Sequence, residues 1–217
     1  MDNIAKLFSI PKSLFWNMKW YGIKGLKLPI LIHYNTKIII KGKIQLPVVG
    51  KPFSSKIGFG GSDGILSYNK QFLYVAEDAQ LIFGGTFILS EGSSIRVEKR
   101  GEVYIGGQFY ANKNFMLSCD SSIEIGDDFV SGWNVHVRDS DGHTIVIDGY
   151  DKLNTKNVFI GKHVWVAAEA HILKGAYISD GSVVGYRSTV LGVFNEANCL
   201  IAGSPAKNIE TNILWKI

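Results

Sequence analysis

The sequence predicts an all-β protein folded as a parallel β-helix of six-residue repeats. The main evidence for this fold is an aliphatic residue at every sixth position: Ile160, Val166, Ile172, Ile178, Val184 and Val190. An amphipathic α-helix needs apolar spacings of three and four, whereas one short strand and one tight turn per repeat satisfy a period of six. Three such strands close a triangular coil of about 18 residues, and stacked coils bury the aliphatic column.

Upstream of residue 125 the repeat is looser but still present. The triplets "FGG" (83–85), "IGG" (105–107) and "IGD" (125–127) are about one long coil apart. Between them, "SIRV" (94–97) and "EVYI" (102–105) alternate apolar and polar residues, which indicates strands with one buried face. We therefore expect a β-helix domain over residues 38–209, with an N-terminal cap over 1–37 and a tail over 210–217. The best helix candidate in the cap is "PKSLFWNMKW".

One long insertion interrupts the repeat. Val137 and Ile160 are 23 positions apart where one repeat needs six, so roughly 17 residues are extra. The interruption, over 138–157, contains "RDSDGHTI" and therefore His143. The sequence predicts a loop that leaves the β-helix at this point.

Bulk composition limits the class of protein. A chain of 217 residues with 46% hydrophobic residues can bury a sizeable core. Cys119 and Cys199 give no disulfide framework, which favours a reducing compartment. The start "MDNIAKLFSIPKSLFW" does not have the order of a signal peptide, and no apolar run is long enough to span a membrane. These features predict a cytoplasmic protein.

The charge is divided unevenly along the chain. Residues 1–62 carry ten lysines and one acid, for a net charge of +9, and the remainder carries −5. Aromatic residues, including Trp16, Trp20 and Tyr21, lie among these lysines. Either the segment is a solvated basic rim with its aromatic rings packed on the domain, or it docks peripherally on an anionic membrane surface. No nucleic-acid-binding motif is recognised, so we expect no nucleic-acid partner.

The chain resembles the hexapeptide-repeat acyltransferases, specifically the group that O-acetylates sugars and bacterial polysaccharides. The resemblance covers about residues 105–210 and rests on "YANKNFMLSCDSSIEIGDDF", "RDSDGHTI", "VFIGKHVWVAAEAHILKGAYISDGSVVGYRSTV" and "IAGSPAKNI". It implies a left-handed β-helix, a handedness that the general preference for right-handed crossovers would not suggest. It also implies acetyl-CoA as acyl donor, a sugar or glycan-precursor hydroxyl as acceptor, and a homotrimer.

In this family an extruded loop carries the catalytic histidine and covers a cleft between subunits of the trimer, and His143 occupies that position. The chemistry agrees, because acetyl transfer to a hydroxyl needs a base, and an imidazole titrates near neutrality. Asp139 and Asp141 are candidates to fix the tautomer of the ring. The alternative is an exposed loop histidine among solvated acids.

The resemblance also implies binding residues. Asn112 and Asp120 match residues that line the acceptor pocket, although an asparagine stacked at the corner of a coil would look the same. Trp165 matches the tryptophan that shapes the acetyl-CoA end of the cleft. Ala168 and Gly185 match further donor-site positions, and Arg187 and Lys207 are the cations placed by motif to meet phosphates. The family's "GAGS" is "GYRS" here (185–188), a departure that bears on those phosphate contacts.

Three alternatives stand beside O-acetyl transfer. An N-acetyltransferase acting on an amino sugar nucleotide would use the same base, and a non-catalytic β-helix would be a scaffold. Zinc catalysis of the carbonic anhydrase type needs clustered histidines. The gaps of 7, 20 and 8 between His136, His143, His163 and His171 do not match such a set, and we expect no metal.

Overall fold

The structure is a computed structural model, and it describes residues 2–62, 65–67 and 69–216. A 20-residue helix, α1 (Asp2–Tyr21), and a 3₁₀ helix (Gly22–Lys27) precede a parallel β-helix. The strands of the first four coils are β1 (Ile30–Ile32), β2 (Lys37–Ile40), β3 (Lys43–Gln45), β4 (Ser55–Ile57), β5 (Phe72–Val75), β6 (Gln80–Phe83), β7 (Phe87–Leu89), β8 (Ser94–Val97), β9 (Glu102–Ile105), β10 (Phe109–Ala111), β11 (Met116–Cys119) and β12 (Ser122–Ile125).

The later coils are shorter, and the fifth contains a hairpin. Their strands are β13 (Val130–Ser131), β14 (His136–Arg138), β15 (Ile145–Ile147), β16 (Tyr150–Lys152), β17 (Val158–Ile160), β18 (Trp165–Val166), β19 (His171–Ile172), β20 (Tyr177–Ile178), β21 (Val183–Val184), β22 (Thr189–Val190), β23 (Val193–Phe194), β24 (Leu200–Gly203) and β25 (Ala206–Glu210).

Three parallel sheets form the faces of the prism. Sheet A has the order β1-β4-β7-β10-β13-β18-β21-β24 and ends in the antiparallel strand β25. Sheet B is β2-β5-β8-β11-β14-β19-β22, and sheet C is β3-β6-β9-β12-β17-β20-β23. Each coil passes from A to B to C, so its turns lie at three corners: AB, BC and CA. The prediction of a parallel β-helix is confirmed.

The six-residue aliphatic column forms the core, as the period predicts. Each of its six members, from Ile160 to Val190, is 0% exposed. The small residues at the fifth positions, Val164, Ala170, Ala176, Ser182 and Ser188, are buried at the corners. Register shows the length of a coil directly: Val183 lies beside Trp165, 18 positions earlier.

The upstream coils are longer, which explains the looser repeat. Tyr110 lies beside Ile88, 22 positions earlier, and Val130 lies beside Tyr110, 20 positions earlier. The wider interior is filled with phenylalanines, including the stacked rings of Phe83 and Phe87, whose centroids are 4.0 Å apart. Because these coils do not repeat every six residues, the sequence shows them only as strand alternation and as triplets one long coil apart.

The first coil begins before residue 38, where we expected the domain to start. β1 pairs with β4 and its three residues are buried. Polar side chains of α1 cover its open edge: Asn17 Nδ2 donates to the Ile30 carbonyl at 2.7 Å and Ser13 Oγ accepts from the Ile32 amide at 2.8 Å. A helix thus supplies the partners that an edge strand would otherwise leave open.

The aromatic rings of the cap that we considered for membrane contact pack on the protein. Trp16, Trp20 and Tyr21 are half-buried against the core. The Tyr21 hydroxyl donates to the Pro47 carbonyl at 3.0 Å, and burial raises the pKa of Tyr21 to about 12. This agrees with the first interpretation of these three rings, because a ring held in this way is not available to a headgroup layer.

Two insertions leave the prism. The first covers residues 58–71, between β4 and β5 at the AB corner of the second coil, and the sequence did not reveal it. The second covers residues 139–157, between β14 and β17 at the BC corner of the fifth coil. Trp165 lies beside Val130, 35 positions earlier, which is 17 more than the 18 of a regular coil and confirms the predicted size.

Candidate functional site

The insertion that carries His143 is anchored at its root by Asp139. This side chain is 0% exposed, and its carboxylate accepts from the backbone amides of Asp120 and Ser121, each at 2.8 Å. These amides belong to the BC corner of the preceding coil. The Lys156 amide donates to the Asp139 carbonyl at 2.9 Å, so both arms of the insertion meet at this residue.

Lys174, in the BC corner of the following coil, is the second anchor. Its Nζ donates to the Leu153 carbonyl at 2.7 Å and forms an ion pair with the Asp141 carboxylate. The hydrogen bond from Lys174 is the main cause that lowers the pKa of Asp141. Lys174 was not singled out from the sequence, because a lysine in the repeat "ILKGAY" has the pattern of a solvated corner.

His143 follows directly on this anchored root and is itself exposed. Gly142 before it has a φ of +81°, a conformation that glycine adopts without strain, and the exposed hairpin β15–β16 begins two residues later. The His143 imidazole is therefore accessible to solvent, on a loop whose root is held in place by hydrogen bonds.

Neither aspartate orients the His143 ring within the described residues. Asp139 uses both carboxylate oxygens on backbone amides, and Asp141 faces Lys174. The expectation that one of them fixes the tautomer is therefore corrected for the single chain: both hold the loop rather than the ring. The sequence placed them correctly in the loop, but the amides that Asp139 binds lie one coil away.

The two acceptor-site candidates are at different corners. Asp120 is half-buried at the BC corner, where its amide contacts Asp139 at the root of the loop. Asn112 lies at the AB corner and is 8% exposed. Its Oδ1 accepts from the amides of Ser62 at 3.0 Å and Lys113 at 2.8 Å. These are contacts of a corner asparagine that holds the first insertion, so only Asp120 lies beside the loop of His143.

The donor-site candidates gather on sheet A and at the AB corner. Trp165 projects outward from sheet A and is 39% exposed. Its neighbour across the surface is Trp215 of the C-terminal tail, with ring centroids 6.2 Å apart. Ala168 is 8% exposed at the AB corner, and its carbonyl accepts from the Arg187 amide at 3.1 Å.

A column of small residues runs along this end of sheet A. Strand register stacks Gly132, Ala167, Gly185 and Ala202 on four successive coils. A Cβ atom on Gly185 would lie 2.9 Å from the Cβ of Ala202, so the column is closely packed. Its surface is a strip without bulky side chains beside Trp165.

The cations placed by motif are both exposed. Arg187 forms an ion pair with Glu169 at 2.5 Å, and its guanidinium lies 5.1 Å from the centroid of the Tyr186 ring. Lys207 is on β25, beside Ala202 of β24. Both therefore lie near the small-residue column. In the segment "GYRS", where the family has "GAGS", Arg187 is thus paired with the Glu169 carboxylate and lies near the Tyr186 ring.

A polar groove lies on sheet B and at the AB corner of the fifth to seventh coils. Its walls are Asn134, His136, Glu169, His171, Arg187 and Thr189. His136 and His171 lie side by side on β14 and β19, with ring centroids 4.9 Å apart. Burial, then His171 and Arg138, lower the pKa of His136.

The sequence contained a signal for this pair of histidines. Their separation is 35 positions, and removal of the inserted 17 leaves 18, one coil. The gaps between the histidines, taken without subtracting the insertion, do not show that these two are neighbours. No group of three His, Cys, Asp or Glu side chains that could hold a metal ion occurs in the part of the chain that the structure describes. His136 and His171 are thus a pair without a third ligand in this set.

Neither cysteine is part of these arrangements. Cys119 and Cys199 are both buried. Burial, followed by the nearby Asp139 carboxylate, raises the pKa of the Cys119 thiol well above its usual range. A protonated, enclosed thiol is a poor nucleophile.

Comparisons with known proteins give a consistent set of relatives, although no family model matches the chain. It is 32% identical over 177 residues to the polysialic acid O-acetyltransferase of Neisseria meningitidis, covering 79% of each chain. It is 32% identical over 133 residues to the polysialic acid O-acetyltransferase of Escherichia coli O1:K1, covering 60% of this chain and 41% of that protein.

A solved structure agrees with these relatives. The crystal structure of the polysialic-acid-specific acetyltransferase NeuO superposes with a TM-score of 0.54 and 26% sequence identity. The match covers 87% of this chain and 89% of the other. It includes most of the β-helix described above. In addition, the described residues contain no helix with the length and apolar character that crossing a membrane requires.

Proposed function

Because this chain belongs to the hexapeptide-repeat acyltransferases and is an O-acetyltransferase of sugars or polysaccharides, we propose that His143 is its general base. One observation carries this proposal. His143 is an exposed imidazole on a loop whose root is fixed to the coil before it by Asp139 and to the coil after it by Lys174. A base must be positioned and must also reach its substrate, and this arrangement meets both needs.

The reaction is direct transfer. His143 accepts the proton of the acceptor hydroxyl as the oxygen attacks the thioester carbonyl of acetyl-CoA. A backbone N–H stabilises the oxyanion of the tetrahedral intermediate. The carbon–sulfur bond then breaks, and the CoA sulfur leaves with the proton that the imidazolium returns. The products are an acetyl ester and CoA, and no enzyme thiol takes part, in agreement with the burial of both cysteines.

The strip beside Trp165 is the proposed site of the donor. The pantetheine arm of acetyl-CoA is narrow and linear, and the column from Gly132 to Ala202 leaves a bare path of that kind. Trp165 packs on the arm, and Ala168 contributes backbone contacts. Arg187 and Lys207, at the end of the strip, bind phosphate oxygens, for which Arg187 exchanges its bond with Glu169.

The acceptor is a hydroxyl of a sugar or surface polysaccharide, and Asp120 is the residue that we propose binds it. A carboxylate accepts hydrogen bonds from sugar hydroxyls directionally, and Asp120 is at the root of the loop that carries the base. Asn112, which the resemblance also assigns to the acceptor pocket, acts in this proposal by holding the first insertion.

We also propose a homotrimer. The loop of His143 leaves the BC corner, whereas the donor strip lies on sheet A and the AB corner. These are different edges of one prism, and a cyclic trimer brings the loop of one subunit to the strip of the next. Light scattering in dilute buffer is expected to give about three times 24.0 kDa. An active monomer at the same concentration contradicts this assembly.

The test of the function is acetyl transfer to defined acceptors. Purified protein is mixed with acetyl-CoA and a panel of neutral, sialylated and amino sugars, and CoA release and product mass are measured. We expect an alkali-labile acetyl ester on a hydroxyl. An acid- and alkali-stable amide on an amino sugar would instead support the N-acetyltransferase, and no turnover with any acceptor would support a scaffold.

His143→Ala connects that activity to the proposed base. Loss of a positioned general base lowers kcat by about 100-fold or more. Thr144→Ala is the matched control, because it changes the next exposed residue of the same loop. Both variants are expected to keep the unfolding temperature of the parent. Full activity in His143→Ala would remove this residue from the mechanism.

A further inference from the structure

Helix α1 has the reverse of the usual amphipathic arrangement. A surface helix normally turns its apolar side inward. Here Ser9, Ser13 and Asn17, spaced four residues apart, are 0% exposed and bond to the β1 edge and the residues that follow it. The polar side of α1 therefore packs on the β-helix, and the apolar side of α1 faces outward.

The outward side is a continuous apolar strip. At 100° per residue its members fall within an arc of about 120° on the opposite side from Ser9 and Asn17. Leu7 is 71% exposed, Ile4 66%, Phe8 65% and Phe15 60%. Leu14 and Met18 complete the strip. Single exposed apolar residues are common, but a row of six on one helix face marks an interaction surface.

Basic residues lie beside the C-terminal end of this strip. Lys19, Lys24 and Lys27 are exposed, and none of them has an ion-pair partner among the described residues. Asp2 is the single acid in residues 1–62. Lys12 does not belong to this set, because its Nζ donates to the carbonyls of Tyr34 and Thr36. The surface thus combines apolar side chains with uncompensated positive charge.

We propose that the outer face of α1 docks the enzyme on an anionic lipid bilayer surface. Leucine, isoleucine and phenylalanine side chains enter the boundary between headgroups and acyl chains, and the lysines meet the headgroup charge. A second copy of the same face is a poor partner, since it would bring two sets of unpaired lysines together. α1 lies on the surface in this arrangement, with its polar stripe still bonded to β1.

The position of α1 suits this role. It covers the open end of the first coil, at the opposite end of the prism from β24 and β25. The loop of His143 leaves the fifth coil, several coils away from α1. In the proposed trimer the three α1 faces lie at the same end of the prism, so one assembly contacts the bilayer three times. The catalytic loops then stand above the surface rather than in it.

The experiment is vesicle flotation with the 217-residue chain, without CoA or acceptor, so that its outcome is independent of acetyl transfer. Vesicles contain either phosphatidylcholine alone or phosphatidylcholine with phosphatidylglycerol. We expect binding to the anionic vesicles at low salt, little binding to the neutral ones, and loss of binding as salt screens the lysines. Equal and negligible binding to both vesicles at low salt overturns the proposal.

Two variant sets locate the surface. Leu7→Gln with Phe15→Gln is expected to lower the partition coefficient at least ~10-fold, because two apolar anchors are removed. Ile209→Gln with Leu214→Gln, which changes two exposed apolar residues near the C-terminus, is the matched control and keeps parental binding. Two triple variants test the contribution of charge. The first changes Lys19, Lys24 and Lys27 to Gln, and the second, its matched control, changes Lys70, Lys99 and Lys216 to Gln.

The outcomes separate the alternatives. If the first triple loses anionic binding and the second keeps it, the cap is the docking surface. If both triples lose it equally, only net charge matters and the proposal fails. A third outcome is that the parent does not bind vesicles and that Leu7→Gln with Phe15→Gln changes the oligomeric mass measured by light scattering. The face is then an interface between copies of the chain, which also overturns the proposal.

Discussion

The two insertions of the β-helix are held by polar side chains in different ways. The insertion 139–157 is bound at its root, by Asp139 and Lys174, and residues 141–153 are all exposed. In the insertion 58–71, the described residues are bound to the prism at several points. Ser62, Ile65 and Ser67 each contact the corner "NKN" (112–114) two coils away. The insertion 139–157 is therefore attached at its root and exposed beyond it, whereas the insertion 58–71 is attached to the prism at several positions.

This difference has a consequence for function. A loop fixed only at its root can present a side chain to a neighbouring subunit or to a large acceptor. A loop fixed along its length instead lines the prism, and its stability depends on each contact. We therefore expect substitutions at the root of the insertion 139–157 to affect catalysis, and substitutions under the insertion 58–71 to affect mainly the free energy of unfolding.

The largest effect expected after loss of His143 itself is that of Asp139→Ala. It leaves the half-buried amides of Asp120 and Ser121 without acceptors, which costs about 2 kcal/mol in the free energy of unfolding, and it frees the loop root. A displaced base lowers kcat by about 30-fold, because reactivity depends steeply on geometry. Denaturant unfolding and steady-state kinetics measure the two quantities.

The isosteric Asp139→Asn variant is the control for this residue. It keeps one acceptor oxygen and the shape of the side chain, so it is expected to recover part of the stability and of kcat. Asp139→Ala with unchanged kcat would show that the position of the loop does not depend on its root.

Lys174→Met is expected to have a smaller effect, about a 10-fold loss of kcat. It removes the tie to Leu153 and Asp141 but leaves the bonds of Asp139 intact. Lys162→Met is the matched control, because Lys162 is an exposed corner lysine near Asp127, away from the loop. Equal kinetics in the two variants would show that Lys174 is not a positioning residue.

How much the sequence revealed follows from the regularity of the coils around each feature. The six-residue column and the 17 extra residues could be read directly, because coils of 18 residues follow the second insertion. His143 stood out for the same reason. The first insertion is flanked by longer coils, 20 to 22 residues where their register is regular, so 58–71 had no regular repeat to interrupt.

Contacts between coils were the part that the sequence could not supply. Asp139 meets the amides of Asp120 and Ser121 only because of the register of β14 on β11. The orientation of α1 was hidden in a similar way. The sequence left open whether its aromatic rings pack on the domain or face a membrane. In the structure Trp16 and Trp20 pack on the core, whereas the polar stripe needed by β1 turns Phe8 and Phe15 outward.

Asp120→Ala tests whether the root of the loop that carries His143 also contributes to acceptor binding. The substitution removes a carboxylate but keeps the backbone amide that Asp139 needs. We expect KM for the acceptor to rise by about 5-fold, the scale of one lost hydrogen bond, with the KM for acetyl-CoA unchanged. A change in both KM values, or in neither, would assign Asp120 to the scaffold.

Asn112→Ala is expected to have the smallest effect on catalysis and to weaken the attachment of the insertion 58–71 instead. Its amide group bonds to Ser62 and Lys113, so its loss costs about 1 kcal/mol in the free energy of unfolding. Because Asn112 is at the AB corner and the loop of His143 is at the BC corner, kcat and the acceptor KM are expected to stay within about 2-fold of the parent. Asn114→Ala is the matched control, since Asn114 binds Ser67 of the same insertion. A rise in acceptor KM for Asn112→Ala alone would return this residue to the acceptor pocket and make the first insertion part of the active site.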